Sequence, residues 1–182
     1  MTLKYAILGF LEFEPLSGYD LKTRYFDGSV GNFFPANQKQ IYRTLERLEE
    51  EGWVVSNLEI QTGRPNRREY QITLAGQNAL QNWLRQSYSL KPVQVPFLVQ
   101  LYFMRNIAPE DVLSVLADQV RQHQMQLAYY HDVALPAVDD PTVDLEQKYG
   151  ALTLDFGIRF ERMQIEWLER AIETVSQSLL KE

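Results

Sequence analysis

The sequence predicts a mainly α chain with a small β-hairpin: an N-terminal winged helix-turn-helix domain plus a C-terminal α-helical dimerization domain. Three observations predict it. The stretch NQKQIYRTLERLEEEGWVVSN, residues 37–57, runs an amphipathic helix through a glycine straight into an aromatic, β-branched strand. A basic turn, QTGRPNRR, follows, and a short strand, EYQI, returns. From residue 144 onward the chain carries one helix with two apolar stripes, more than 182 residues easily cover. The domains are expected at 1–88 and 92–182, parted at SLKPVQVP.

The elements follow in order. Residues 2–13 are mostly apolar and suit a buried helix. In PLSGYDLKTRYF, Ser17 is a candidate N-cap with Asp20 three residues on. DGSVGNFFPA, 27–36, is rich in turn formers and reads as a loop. Asn37 caps the third helix, with Gln40 as its capping-box partner. Ile41, Leu45 and Leu48 form one stripe about 60° wide. Lys39 and Arg43 project from the opposite side, flanked by Arg47, and Glu46 and Glu50 come later on that face. Gly52 fits the C′ position, and WVVSNLEI is the first strand. Thr73 caps a helix of about 73–88 that buries Leu80, Trp83 and Leu84.

Three helices and a hairpin, with the third helix feeding the hairpin, make a winged helix-turn-helix. The third helix is shaped for a DNA major groove, with its N-terminal side chains toward the base edges. Arg64, Arg67 and Arg68 stand on the wing turn with no acid from Gln61 to Arg68. Three arginines on one turn call for an anionic partner, and guanidinium groups suit phosphates and narrow minor grooves.

In the second half, PFLVQLYFMR at 96–105 is apolar nearly all round, so a helix buried on most sides is expected. Pro109 fits N1 of a helix over 109–134, and ALPAVDDPTVD is a loop. The last helix, 144–180, is roughly 50 Å long. One stripe holds Tyr149, Leu152, Phe156, Phe160, Met163 and Trp167; the other holds Ile158, Ile165, Leu168, Ile172, Val175 and Leu179. One stripe is expected on helix 109–134 and the other on a second copy of the chain. Phe156, Phe160, Met163, Trp167, Leu168 and Ile172 are the candidate dimerization residues.

Charge and composition narrow the function. Residues 1–90 carry ten Lys/Arg and ten Asp/Glu, while residues 91–182 carry eight and fourteen, so the net −6 lies in the second half. A neutral half still presents a basic face if its charges are sorted in space. There are no cysteines, which excludes disulfides, thiol nucleophiles and Cys-ligated metal. Glu49, Glu50 and Glu51 point about 100° apart on a helix and do not converge. His123 and His131 lie roughly 12 Å apart along one helix axis and cannot share a metal. Gly28 and Gly31 lack a phosphate-loop context. No cofactor, metal or catalytic set is therefore expected. No run of about 18 apolar residues suggests a membrane span, and no basic leader precedes the apolar start, so a cytoplasmic protein is expected.

LKYAILGFLEFEPLSGYDLK, QIYRTLERLEEEGWV and GRPNRREYQITLAGQNAL, in this order and spacing, resemble the PadR family of bacterial transcription regulators over residues 1–86. The second half is similar in length and helix count to the family's longer dimerization domain. The resemblance implies a homodimeric repressor of a pseudo-palindromic operator in double-stranded DNA, released by a signal such as a small aromatic effector or a drug-like compound. It implies that Gln40, Tyr42 and Arg43 face DNA and that Arg64 to Arg68 form the wing tip, with Asn66 at its apex. By donor pattern Gln40 suits adenine and Arg43 guanine. The aromatic side chains of the second half suit either a core or a pocket for a planar ligand. A different class keeps the scaffold without specific DNA binding: a dimeric protein-interaction or ligand-binding module.

Overall fold

The computed structural model describes residues 2–28, 30–59, 67–89 and 92–179. The chain divides into two compact units, Met1–Lys91 and Pro92–Glu182.

In the first unit, α1 (Thr2–Phe13) buries Ile7, Leu8 and Leu11. A two-residue strand, β1 (Leu16–Ser17), follows. Helix α2 opens as one α turn, Gly18–Asp20, and continues as a π-helix over Leu21–Phe26. The expected capping box forms: Asp20 N–H donates to Ser17 Oγ at 3.1 Å and Ser17 N–H donates to Asp20 Oδ2 at 3.0 Å. An ordinary helix is what the sequence predicts for this stretch. In its wider turn Tyr25 and Phe26, neighbours in the chain, both reach Phe10, one stacked at 4.0 Å and one edge-on at 5.9 Å. Helix α3 (Gln38–Glu50) starts on the Asn37–Gln40 capping box. It ends in a Schellman turn, with Trp53 N–H donating to Leu48 O at 2.8 Å and Gly52 N–H to Glu49 O at 3.0 Å. Gly52 sits at φ 70°, where a side chain is strained.

Strands β2 (Val54–Glu59) and β3 (Arg67–Ile72) pair antiparallel from Val54 opposite Ile72 to Glu59 opposite Arg67. Strand β1 pairs on the other side of β3, so the sheet order is β1-β3-β2. Two strands were expected; β1 adds a third. The turn expected over 61–68 is also corrected: Arg67 and Arg68 are strand residues of β3. Helix α4 (Leu74–Leu84) starts at Thr73, whose Oγ1 accepts from Gly76 N–H and donates to Gly52 O at 2.8 Å. Leu80 is buried there, but Leu84 is 64% exposed, against expectation, because α4 ends at this residue. One core joins these parts, with Ile41, Leu45 and Leu48 of α3 fully buried beside Ile7, Leu8, Leu16 and Leu21.

In the second unit, α5 (Pro96–Tyr102) leads through a 3-10 turn to α6 (Pro109–His131) and the long α7 (Leu145–Leu179). Pro96 and Pro109 begin their helices, where a missing N–H costs nothing. Val112, Leu116 and Val120 of α6 pack against Leu168, Ile165, Ile172 and Val175 of α7. The stripe of α7 that faces α6 is therefore the Leu168 stripe. Helix α5 departs from its expected burial. None of its residues is buried within the chain and Tyr102 is 78% exposed; α5 lends Phe97 and Leu101 to the edge of a core that α6 and α7 build with Met104.

Candidate nucleic-acid interface

The burial of Ile41, Leu45 and Leu48 fixes how α3 rolls, and so fixes what it shows. Lys39, Gln40, Tyr42 and Arg43 all stand on its exposed side. Among the described residues, no acidic side chain lies within ion-pair distance of Lys39, Arg43 or Arg47. Glu46 and Glu50 are close in sequence, but neither makes an ion pair with these cations. Gln40 is less free than its neighbours. Its Oε1 accepts from Asn37 N–H at 2.9 Å, and a bidentate adenine contact would use the same oxygen.

Tyr42 is 37% exposed. Its ring lies against Gly18 at the start of α2, so closely that a Cβ on Gly18 would come within 2.7 Å of it. The glycine thus lets the two helices of the helix-turn-helix meet with the tyrosine ring between them.

The wing base differs from the sequence reading. Arg67 Nη2 donates to Asp20 Oδ2 at 2.7 Å and lies 3.1 Å from Glu69 Oε1. Arg68 Nη2 donates to Glu49 Oε2 and its Nε to Ser56 Oγ, each at 2.8 Å. Ser56 Oγ donates in turn to Glu49 Oε1 at 2.6 Å. Both arginines therefore find anionic partners inside the protein. Burial pushes the Asp20 carboxyl up, but the Ser17 hydroxyl and backbone N–H, with Arg67 and Arg24, outweigh it and hold the group below its ordinary value. Asp20, Glu49 and Ser56 were missed as site residues. The available signal was the two-residue alternation of the strands, which puts Arg68 on the same face as Ser56. Arg64 and Asn66 lie outside the described residues.

The second unit holds the other candidates. Phe156, Phe160, Met163 and Trp167 share an exposed stripe of α7 with Tyr149 and Leu152; Phe156 is 69% exposed. Leu168 and Ile172 do not join them. Leu168 is 2% exposed, and both sit in the chain's own α6–α7 core. A cavity of about 230 Å³ is lined by Phe97, Leu98, His123, Met163, Gln164 and Trp167, among others. Of the aromatic residues weighed for a pocket, Phe97 and Trp167 line it. His123 Nδ1 is 2.5 Å from Glu161 Oε2, a carboxylate otherwise buried between α6 and α7. No helix is long and apolar enough to cross a membrane among the described residues.

Comparison with known proteins agrees in both units. Residues 7–82 match the transcriptional regulator PadR-like family, and residues 94–176 match the C-terminal domain family of virulence activator alpha. The chain is 29% identical over 180 residues to the negative transcriptional regulator PadR of Bacillus subtilis, covering 97% of this chain and 98% of that protein. It is 31% identical over 193 residues to a probable transcriptional regulator of Mycobacterium tuberculosis, covering 97% and 99%. Among solved structures, B. subtilis PadR in complex with operator DNA superposes with a TM-score of 0.84 at 27% identity, over 96% of this chain and 99% of that one. The same protein in complex with p-coumaric acid gives 0.77 at 26%, over 97% and 99%. The Vibrio cholerae virulence activator AphA gives 0.76 at 27%, over 97% and 99%. With a winged helix-turn-helix in the first unit and a relative above 30% identity along nearly its whole length, the chain belongs to the PadR-like family of transcriptional regulators.

Proposed function

We propose that this regulator is a cytoplasmic homodimeric repressor that binds a pseudo-palindromic DNA operator through α3 and the β2–β3 wing, and that a small aromatic effector releases it. The observation that carries the reading is the exposed face of α3, where Lys39 and Arg43 make no ion pair among the described residues and Tyr42 stands beside them, on a helix locked to the core by Ile41, Leu45 and Leu48. Arg43 presents the paired donors that read guanine N7 and O6, and Lys39 and the Tyr42 hydroxyl reach phosphates beside it. A second copy covers the Phe156–Phe160–Met163–Trp167 stripe and sets two α3 helices about one turn of duplex apart. The B. subtilis relative's complexes with operator DNA and with p-coumaric acid support the two ligand classes. The effector shifts the equilibrium only if it prefers the arrangement whose α3 spacing misfits DNA. No catalysis is part of this reading.

The alternative of an interaction module without DNA rests on the neutral first half. With Arg67 and Arg68 engaged by acids, the choice turns on α3. Hydroxyl-radical footprinting of the DNA upstream of its own gene decides it. The expected result is two protected tracts roughly 10 bp apart. Uniform cleavage at protein concentrations that saturate the shift of any duplex would favour the module.

A further inference from the structure

We propose that Arg67 and Arg68 are positioning residues: through Asp20 and Glu49 they clamp the wing to the two helices of the helix-turn-helix, so that two acids are determinants of DNA recognition. The clamp rests on the DNA reading for its consequence, but not for its existence.

The geometry is two-sided. β3 is the middle strand of the sheet, and its first two residues send their side chains to different partners. Arg67 reaches back to Asp20 at the start of α2. That carboxylate is already oriented by the Ser17 hydroxyl and backbone N–H, and its side chain is 16% exposed. Arg68 reaches Glu49 near the end of α3, and Ser56 of β2 bridges the two. Its guanidinium also lies 5.5 Å from the ring of Tyr70. Each guanidinium already commits donors to the protein, Arg67 its Nη2 and Arg68 its Nε and Nη2, which leaves fewer for a phosphate. Both are held by carboxylates that their helices place: the Arg67–Asp20 contact is part-buried, and the half-exposed Arg68 is fixed through two of its nitrogens, each of which restricts the pair more than a lone exposed contact does. A wing tied at both corners meets the duplex at a fixed angle to α3.

Electrostatics alone makes the opposite forecast for the acids. Removing a carboxylate near a polyanion strengthens binding to any DNA. The test uses the full-length Asp20→Asn, Glu49→Gln, Arg67→Gln and Arg68→Gln variants. Binding is read by fluorescence anisotropy against the duplex upstream of its own gene and a scrambled duplex across a salt series. Amide hydrogen exchange is followed in the free protein. The clamp requires faster exchange in Val54–Glu59 and Arg67–Ile72 in all four variants, with α1 as protected as before. It also requires a loss of roughly tenfold for the upstream duplex from acid and arginine variants alike, with the salt slope kept. Two results overturn it. One is unchanged exchange in the hairpin. The other is tighter binding by the acid variants while each arginine variant loses about 0.9 of slope per phosphate contact. If the unaltered protein prefers neither duplex, the DNA reading fails instead, and the exchange measurement still decides whether the clamp exists.

Discussion

Tyr42 joins packing to recognition more tightly than any other residue of α3. Its ring is set by the missing side chain of Gly18. Gly18→Ala pushes against the far end of a half-exposed side chain, which swings away, so the expected cost in stability is below about 1 kcal/mol. Affinity for upstream DNA should still fall several-fold in an anisotropy titration; an unchanged affinity would mean that the placement of Tyr42 is immaterial. Asn37 is the cap on which the DNA-facing end of α3 begins, and Asn37→Ala should cost about 1 kcal/mol in urea unfolding. Asp20 adds a pH dependence of known sign. Its folded carboxyl titrates below the unfolded value, so the stability it contributes is present above about pH 4 and is lost as pH falls through the folded pKa. Acid melts of Asp20→Asn should lack that part of the decline.

At the scale of elements, α3 is the best specified. Its cap, its apolar seam and its terminating glycine all point to one helix, and each is present as read. Leu48→Ala removes a fully buried anchor and should cost about 2–5 kcal/mol in equilibrium unfolding, loosening the basic face with it. The junction after the hairpin is as strict. A Cβ on Gly76 would come within 2.2 Å of the Trp53 carbonyl oxygen, a backbone atom that cannot swing aside, so Gly76→Ala should lower the melting temperature far more than Gly18→Ala. Other elements were less legible for physical reasons. β1 is two residues long and carries no alternation to detect. The arginines of the wing looked free because their partners, Asp20 and Glu49, lie 47 and 19 residues away. The exposure of α5 could not be read either, since hydrophobicity all round a helix does not say which chain covers it.

For the whole molecule, the two stripes of α7 were visible, and the fold assigns them. The Leu168 stripe completes the α6–α7 core, which leaves the Phe156 stripe as the surface proposed for a second copy. Phe156→Asp should leave the chain folded, because that side chain is exposed within it, while sedimentation shifts from dimer to monomer and operator binding weakens. A dimer that persists would move the interface elsewhere. The central claim is that the exposed face of α3 reads DNA sequence. The most direct test is anisotropy of the unaltered protein and Arg43→Ala against the upstream and scrambled duplexes at several salt concentrations. Recognition through α3 requires tight, salt-dependent binding to the upstream duplex, and a loss of about 1–3 kcal/mol of that preference in Arg43→Ala with little change on the scrambled one. Equal weakening on both duplexes, or no preference to begin with, would contradict it.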